Sequence, residues 1–242
     1  MSGPRAILIV ARTPEAEAVA KGLPLSTAVP LFTAVLASWM RAAARAGAIA
    51  LIAADREDQL RLGEVESCVP RTFLTQRGKR FGDRLAHAVE DAFALGIGSL
   101  IISGIDAPPP APGELEQAFR ALEEGRADAV ITPANDGGIN MLGLRRDEPM
   151  LLRSIQVRSA DVASKCVEYF GERAVLITDT VSDLDGLSSV EAAMADAAWR
   201  PFAALLRQCL TGADDFDDED DVVSDVAASM SASYRGPPIS FR

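Results

Sequence analysis

Short runs of consecutive apolar residues recur between positions 6 and 177, and amphipathic segments separate them. Apolar residues within a run do not alternate with polar ones, which is typical of strands buried on both faces of a parallel sheet. Six such strands are predicted: Ala6–Ala11, Ile49–Ala53, Thr72–Thr75, Leu100–Ile102, Ala129–Ile131 and Ala174–Ile177.

Between these runs, apolar residues follow the i, i+3, i+4, i+7 spacing of a helix face, in stripes that begin at Leu85, Leu115, Ala163 and Val190. Ser188 and Glu191 have capping-box spacing and predict the start of the last of these helices. Repeated strand–helix alternation predicts an α/β fold with three α/β/α layers and a mostly parallel sheet. Ligands of such folds bind beyond the carboxyl ends of the strands.

The composition of the chain divides it into two parts. Of 242 residues, 48% are hydrophobic and 24% are charged, which is ordinary for a globular protein. Eight acidic and only two basic residues follow Gly212, so much of the net charge of −11 lies there. We therefore predict one domain over residues 1–212 and a disordered acidic tail over 213–242, with a partner-binding acidic segment as the alternative.

Charge and cysteine usage exclude several classes of protein. A net charge of −11 argues against a general nucleic-acid binder. Three separated cysteines and one histidine, His87, argue against a Cys/His zinc site and favour a reducing, cytoplasmic setting. Arg41 and Arg45 interrupt the longest apolar stretch, so we expect no membrane partner. The sequence leaves a homodimer open.

Aspartates follow two of the predicted strands. Asp106 comes just after Leu100–Ile102, and Asp183 and Asp185 follow the last strand with a spacing that places both on one side of an extended segment. Carboxylates held together at strand ends suit a divalent cation. The alternatives are a turn aspartate at Asp106 and a solvated acidic loop at the other two.

A glycine pair follows the strand Ala129–Ile131. Asp136-Gly137-Gly138 favours a β-hairpin whose returning strand is Ile139–Leu144. The same glycines could instead present bare backbone amides to a ligand. Four residues of this loop are candidates for the substrate site: Asn135, Gly137, Gly138 and Asn140.

Two groups of cations are candidates for binding nucleotide phosphates. Arg12 ends the first strand and Lys21 lies in the loop region after it, where α/β folds commonly bind nucleotides. Arg77, Lys79 and Arg80 precede a predicted helix, and cations beside a helix N-terminus favour anions. Surface solubility is the alternative for each of the five.

Taken in order, the segments Gly104–Pro108, Pro133–Asn140 and Asp183–Asp185 resemble the 2-phospho-L-lactate guanylyltransferases and, more closely, their glycosyltransferase-like relatives. The resemblance spans about Ala6 to Ala197. It implies the nucleotide-diphospho-sugar transferase (GT-A) fold, a nucleotide substrate and Mg²⁺ or Mn²⁺ held by Asp106 and the later aspartate pair. Where that family reads lysine, threonine, arginine, leucine, this chain has Ala20–Leu23.

The sequence is compatible with three functions. In nucleotidyl transfer, a small phosphorylated acid would attack a nucleoside triphosphate, with the metal at Asp106 and no strong protein base needed. In glycosyl transfer from a nucleotide sugar to a small acceptor, Asp136 is the candidate catalytic base. The third is a non-catalytic, nucleotide-binding homologue, since fold does not fix function.

Overall fold

The structure, a computed structural model, describes residues 3–65, 69–155, 160–171 and 175–214. The last helix of the described residues reaches Asp214, two residues beyond the predicted end of the domain at residue 212. Apart from its first two residues, the predicted tail lies outside the described residues.

Within the described ranges, seven strands form one sheet in the order β3-β2-β1-β4-β6-β5-β7. All neighbours are parallel except at β6, which runs antiparallel to both β4 and β5. The mostly parallel sheet and the hairpin are therefore confirmed. The strands are β1 Arg5–Val10, β2 Ile49–Ala54, β3 Arg71–Thr75, β4 Ser99–Ser103, β5 Ala129–Pro133, β6 Ile139–Leu144 and β7 Val175–Ile177.

Nine α-helices are present in the described part of the chain: α1 Pro14–Ala20, α2 Leu25–Arg45, α3 Arg56–Glu64, α4 Phe81–Ala94, α5 Pro112–Glu123, α6 Pro149–Ser154, α7 Val162–Phe170, α8 Leu187–Ala195 and α9 Ala203–Asp214. One core lies between the sheet and a layer that includes α2, α5, α8 and α9. The second lies between the opposite face and α4, α6 and α7. The three layers are confirmed.

Strand β1 shows why continuous apolar runs mark this sheet. Ile7 and Ile9 pack into one core and Ala6 and Leu8 into the other, and all four are fully buried. Successive side chains of a strand point to opposite faces, so a sheet covered on both sides needs apolar residues at every position.

Helix α2 is the one helix among the described residues whose length and apolar composition would suffice to cross a membrane. Its apolar face packs in the first core, where Leu31, Phe32 and Trp39 are at most 1% exposed. Burial of this kind accounts for the apolar composition of a core helix equally well.

The start of α8 differs from the capping-box prediction. The helix begins at Leu187, with Gly186 as its N-cap residue, so Ser188 is not the cap. Ser189 Oγ instead accepts hydrogen bonds from the amides of Asp185 and Gly186, at 2.9 and 3.2 Å. The first turn therefore fastens the acidic loop directly before it.

Candidate active site

A cavity of about 290 Å³ opens at the carboxyl ends of β1 and β4. The loops after these strands, the β5–β6 hairpin and the segment 183–185 form one part of its wall, and α4 forms another. Of the predicted site residues, the cavity is lined by Arg12, Lys21, Asp106, Asp136, Gly138, Asn140, Asp183 and Asp185.

The loops that carry Asp106 and Asp183 are tied to each other and to the core. Leu184 N donates a hydrogen bond to Asp106 O at 2.9 Å. Trp39 Nε1 donates to Ala107 O at 2.9 Å, and Trp199 Nε1 donates to Ser182 O at 2.6 Å. Both indoles are buried in the core, so water competes little for these bonds, and each bond holds its loop against the core.

Three carboxylates among the described residues lie close enough together to share one metal ion. One oxygen from each of Asp136, Asp183 and Asp185 lies within 4.8 Å of the others. Burial, together with the charges of Asp106, Asp185 and Asp136, raises the pKa of Asp183 to about 7. Oxygen ligands and an excess of negative charge are what Mg²⁺ and Mn²⁺ prefer, so these residues fit a divalent cation.

Asp106, predicted as a metal ligand together with Asp183 and Asp185, shares a lysine with Asp185. Lys21 Nζ lies 3.1 Å from Asp106 Oδ2 and 2.6 Å from Asp185 Oδ1. The Lys21 side chain is only 10% exposed, which by itself lowers its pKa, but the Asp106 and Asp185 carboxylates outweigh this and raise it. Lys21 is therefore a permanent positive charge beside the carboxylate cluster.

A buried carboxylate that the sequence did not single out lies behind these cations. Glu17 is 8% exposed, and its oxygens lie 3.8 Å from both Lys21 Nζ and Arg12 Nη1. Burial and the Asp106 charge raise the pKa of Glu17. Its i, i+4 spacing to Lys21, the residue that follows α1, was the available sequence signal.

The second predicted group of cations is not among the described residues that line the cavity. Arg77 pairs with Asp91 at 2.6 Å and Arg80 with Asp83 at 2.9 Å, and both arginine side chains are more than half exposed. Lys79 is also exposed. The structure thus separates Arg77, Lys79 and Arg80 from Arg12 and Lys21.

Two polar residues of the cavity wall, Gln76 and Arg84, were missed by the sequence analysis. Arg84 Nε donates to Gln76 Oε1 at 3.1 Å, and Arg84 Nη1 donates to Lys79 O at 3.2 Å. Arg84 lies near the start of α4, where the helix dipole disfavours a cation unless an anion is close. A cation at this unfavourable position was the feature of the sequence that could have indicated an anion-binding role for Arg84.

The β5–β6 hairpin loop holds the residues before Asp183 in place, and its glycine amides are not free to bind a ligand. Gly137 N donates to Ala134 O at 3.1 Å and Gly138 N donates to Asp136 Oδ1 at 2.8 Å, so both amides are occupied. Asn135 Nδ2 donates to Ser182 Oγ at 2.8 Å, and Asn140 Nδ2 donates to the carbonyl of Val181. The loop therefore fixes the residues that precede Asp183.

Gly137 is required by both its conformation and its surroundings. Its φ is +88°, and a Cβ built there would lie 2.1 Å from the carbonyl oxygen of Ala160. Ala163 N also donates to Gly137 O at 3.2 Å. Residues 160–163 thus cover Gly137, and Gly138 is the glycine of the pair that lines the cavity.

Solved structures show the class of fold. A protein from Desulfovibrio desulfuricans G20, provisionally named a nucleotide-diphospho-sugar transferase, matches with a TM-score of 0.68 and 24% identity over 84% of this chain and 97% of its own. A CMP:2-keto-3-deoxy-manno-octonic acid synthetase in complex with CTP matches with a TM-score of 0.51 and 12% identity over 85% and 99%. The GT-A fold expected from the sequence is confirmed.

Rv0371c from Mycobacterium tuberculosis H37Rv, in complex with manganese, matches with a TM-score of 0.50 and 14% identity over 84% of this chain and 98% of its own. A family model matches residues 36–159, and the chain belongs to that family, DUF2064, described as uncharacterized proteins conserved in bacteria. No curated protein sequence matches the chain. The finer resemblance to guanylyltransferases stays a prediction.

Proposed function

We propose that this protein is a divalent-metal-dependent nucleotidyltransferase that transfers a nucleoside monophosphate from a nucleoside triphosphate to a small phosphorylated acid. The observation that carries the proposal is how the carboxylates of the site are already engaged. Asp136 accepts a hydrogen bond from the Gly138 amide, and Asp106 and Asp185 both contact Lys21. These three are engaged and Asp183 would be a metal ligand, so no aspartate of the site is left to act as a base, and an acceptor that is already anionic needs none.

Asp136, Asp183 and Asp185 would hold the metal, because their oxygens lie within 4.8 Å of one another. A bound Mg²⁺ or Mn²⁺ would neutralise phosphate charge and polarise the phosphorus under attack. Arg12 and Lys21 line the same cavity and offset part of the charge of its carboxylates.

The proposed reaction needs no nucleophile from the protein, because the acceptor supplies it. An acceptor phosphate oxygen forms a bond to the α-phosphorus, the bond from that phosphorus to the bridging oxygen breaks, and pyrophosphate leaves. The chain's contribution is to hold both reactants in line and to exclude water.

The structural neighbours support this proposal through what they bind. The synthetase neighbour holds CTP and the M. tuberculosis neighbour holds manganese. Together with the guanylyltransferase resemblance, they make GTP the first nucleotide to test.

The test is pyrophosphate release from GTP, ATP, CTP and UTP, with Mg²⁺ or Mn²⁺ and a set of phosphorylated three-carbon acids. We expect release with one nucleotide–acid pair, and its loss in Asp183→Asn. If a nucleotide sugar instead releases nucleoside diphosphate and Asp136→Asn blocks this, the protein is a glycosyltransferase. Silence in both assays without nucleotide binding would identify a non-catalytic homologue.

A further inference from the structure

We propose that Arg84 binds the anionic group of the acceptor substrate at the α4 wall of the cavity, and that the acceptor is a small acid with an apolar portion. The inference rests on the proposed function, because it concerns the second substrate of that reaction. It is carried by the charge, the orientation and the surroundings of Arg84.

The charge of Arg84 is not neutralised by the protein residues that the structure describes. Among the described residues, three cations line the cavity, and two of them lie within 4 Å of carboxylates: Lys21 of Asp106 and Asp185, and Arg12 of Glu17. Arg84 forms no ion pair within 4 Å in the described ranges. A half-buried guanidinium without a carboxylate partner is a ready site for an anion.

The guanidinium is oriented before any ligand arrives. Its Nε and Nη1 donate to Gln76 Oε1 and Lys79 O. Gln76 is itself held, because its Nε2 donates to Ala53 O at 2.9 Å and its backbone amide donates to Ala54 O at 3.1 Å. Arg84 Nη2 makes no hydrogen bond in the described part of the chain. Binding through that group would cost little ordering of the side chain.

Helix α4 is also held close to its neighbour. A Cβ at Gly82 would lie 2.7 Å from the carbonyl oxygens of both Leu152 and Arg153, and 2.8 Å from that of Ile155. The absence of a side chain at Gly82 therefore lets the first turn of α4 pack against the end of α6. This contact fixes the turn that carries Arg84.

The wall around Arg84 defines the class of ligand. Phe81, Leu85, Ile155 and Val162 line the cavity beside it, and Leu85 and Val162 are less than 9% exposed. Apolar walls with one fixed cation select an anion joined to a short carbon skeleton. A carboxylate or a phosphate satisfies the chemistry of the guanidinium, and the experiment separates the two.

The experiment is calorimetric binding of the acids to the full-length protein preloaded with Mn²⁺ and the α,β-methylene analogue of GTP, which cannot transfer its nucleotide. The probes are 3-phosphoglycerate, 2-phosphoglycerate, phosphoenolpyruvate, lactate and glycerol. The variants are Arg84→Gln and Arg84→Lys. Arg80→Gln is the matched control, because it removes the same charge from the same region of the chain outside the cavity.

We expect at least one acid to bind the wild-type protein and glycerol not to bind. Arg84→Gln should weaken the acid about tenfold or more, Arg84→Lys by less, and Arg80→Gln by less than about twofold. Binding of Mn²⁺–GTP alone should change less than about threefold in all variants. If Arg84→Gln weakens lactate as much as the phosphorylated acids, a carboxylate is assigned to Arg84; if it weakens only the phosphorylated acids, a phosphate is assigned.

The inference is overturned if no acid binds, if Arg84→Gln leaves acid binding unchanged, or if it weakens Mn²⁺–GTP instead. Circular dichroism of each variant checks that the fold is kept, and Arg84→Lys serves if Arg84→Gln does not fold. Pyrophosphate release is measured separately. Arg84-dependent acid binding without release contradicts the proposed function alone, whereas release that is indifferent to Arg84 contradicts this inference alone.

Discussion

The ammonium of Lys21 lies 2.6 Å from Oδ1 of Asp185, a residue that also belongs to the cluster proposed to hold a metal. The Asp185 carboxylate thus pairs with the Lys21 ammonium and is also a proposed ligand of the metal ion. Like charges at such separations repel strongly where water is scarce. Lys21 and a divalent cation should therefore compete for Asp185.

Replacing Lys21 by methionine should tighten Mn²⁺ binding about tenfold or more, because the repulsion between the ammonium and the metal is removed. Calorimetric titration of the nucleotide-free protein with Mn²⁺ measures this. Arg12→Met is the control, since it removes the same charge from the same cavity but at a side chain that is 45% exposed and better screened. Weaker Mn²⁺ binding in Lys21→Met would show that the lysine orients Asp185 for the metal.

Replacing Asp183 by asparagine should abolish metal binding and stabilise the metal-free protein above pH 7. Burial and three neighbouring carboxylates raise the pKa of Asp183 from 3.8 to about 7 in the folded state. Its contribution to stability therefore becomes unfavourable as the pH rises from about 4 to 7, and it stays so above pH 7. We expect the variant to melt about 3–6 °C higher than the wild type at pH 8, with a smaller difference at pH 5.

The same pKa predicts that wild-type metal affinity falls as the pH drops below about 7, because protons then compete for Asp183. Mn²⁺ titrations at pH 6, 7 and 8 check this. A pH-independent affinity would remove Asp183 from the set of ligands.

Trp39→Phe and Trp199→Phe should each lower the free energy of unfolding by about 1–3 kcal/mol, because a buried carbonyl loses its donor. Their effects on the metal should differ. Trp199 holds the carbonyl next to Asp183, whereas Trp39 holds the one next to Asp106, which lies outside the cluster. Denaturant titration and Mn²⁺ calorimetry should show similar destabilisation but a larger loss of affinity in Trp199→Phe. Equal losses would contradict the separate roles of the two loops.

Gly82→Ala should destabilise the protein by about 2–4 kcal/mol, because its methyl group would meet backbone oxygens of the α6 end at 2.7–2.8 Å. Gly113→Ala is a matched control. Gly113 also lies in the first turn of a helix, but a Cβ there would meet nothing within 4 Å. The control should be neutral or gain about 0.5 kcal/mol from helix propensity. Thermal unfolding of both variants tests the comparison.

The local pattern of the chain was sufficient for the sheet and for the region of the site. Runs such as Ala6–Ala11 and Leu100–Ile102 coincide with central strands to within two residues at each end, because burial on both faces demands apolar side chains at every position. Asp106 and Asp185 lie at the cavity because parallel strands end at a common edge. These features depend on residues near one another in sequence.

The pairing of side chains depended on distances that no local pattern contains. Asp106 and Asp136 both follow strands, yet Asp136 joins the carboxylate cluster whereas Asp106 contacts Lys21, 85 residues away. Arg80 and Arg84 are one helical turn apart, yet Arg80 pairs with Asp83 and Arg84 lines the cavity. Periodicity determines which face of an element is buried. The partner of each charge is decided only when separate loops pack against each other.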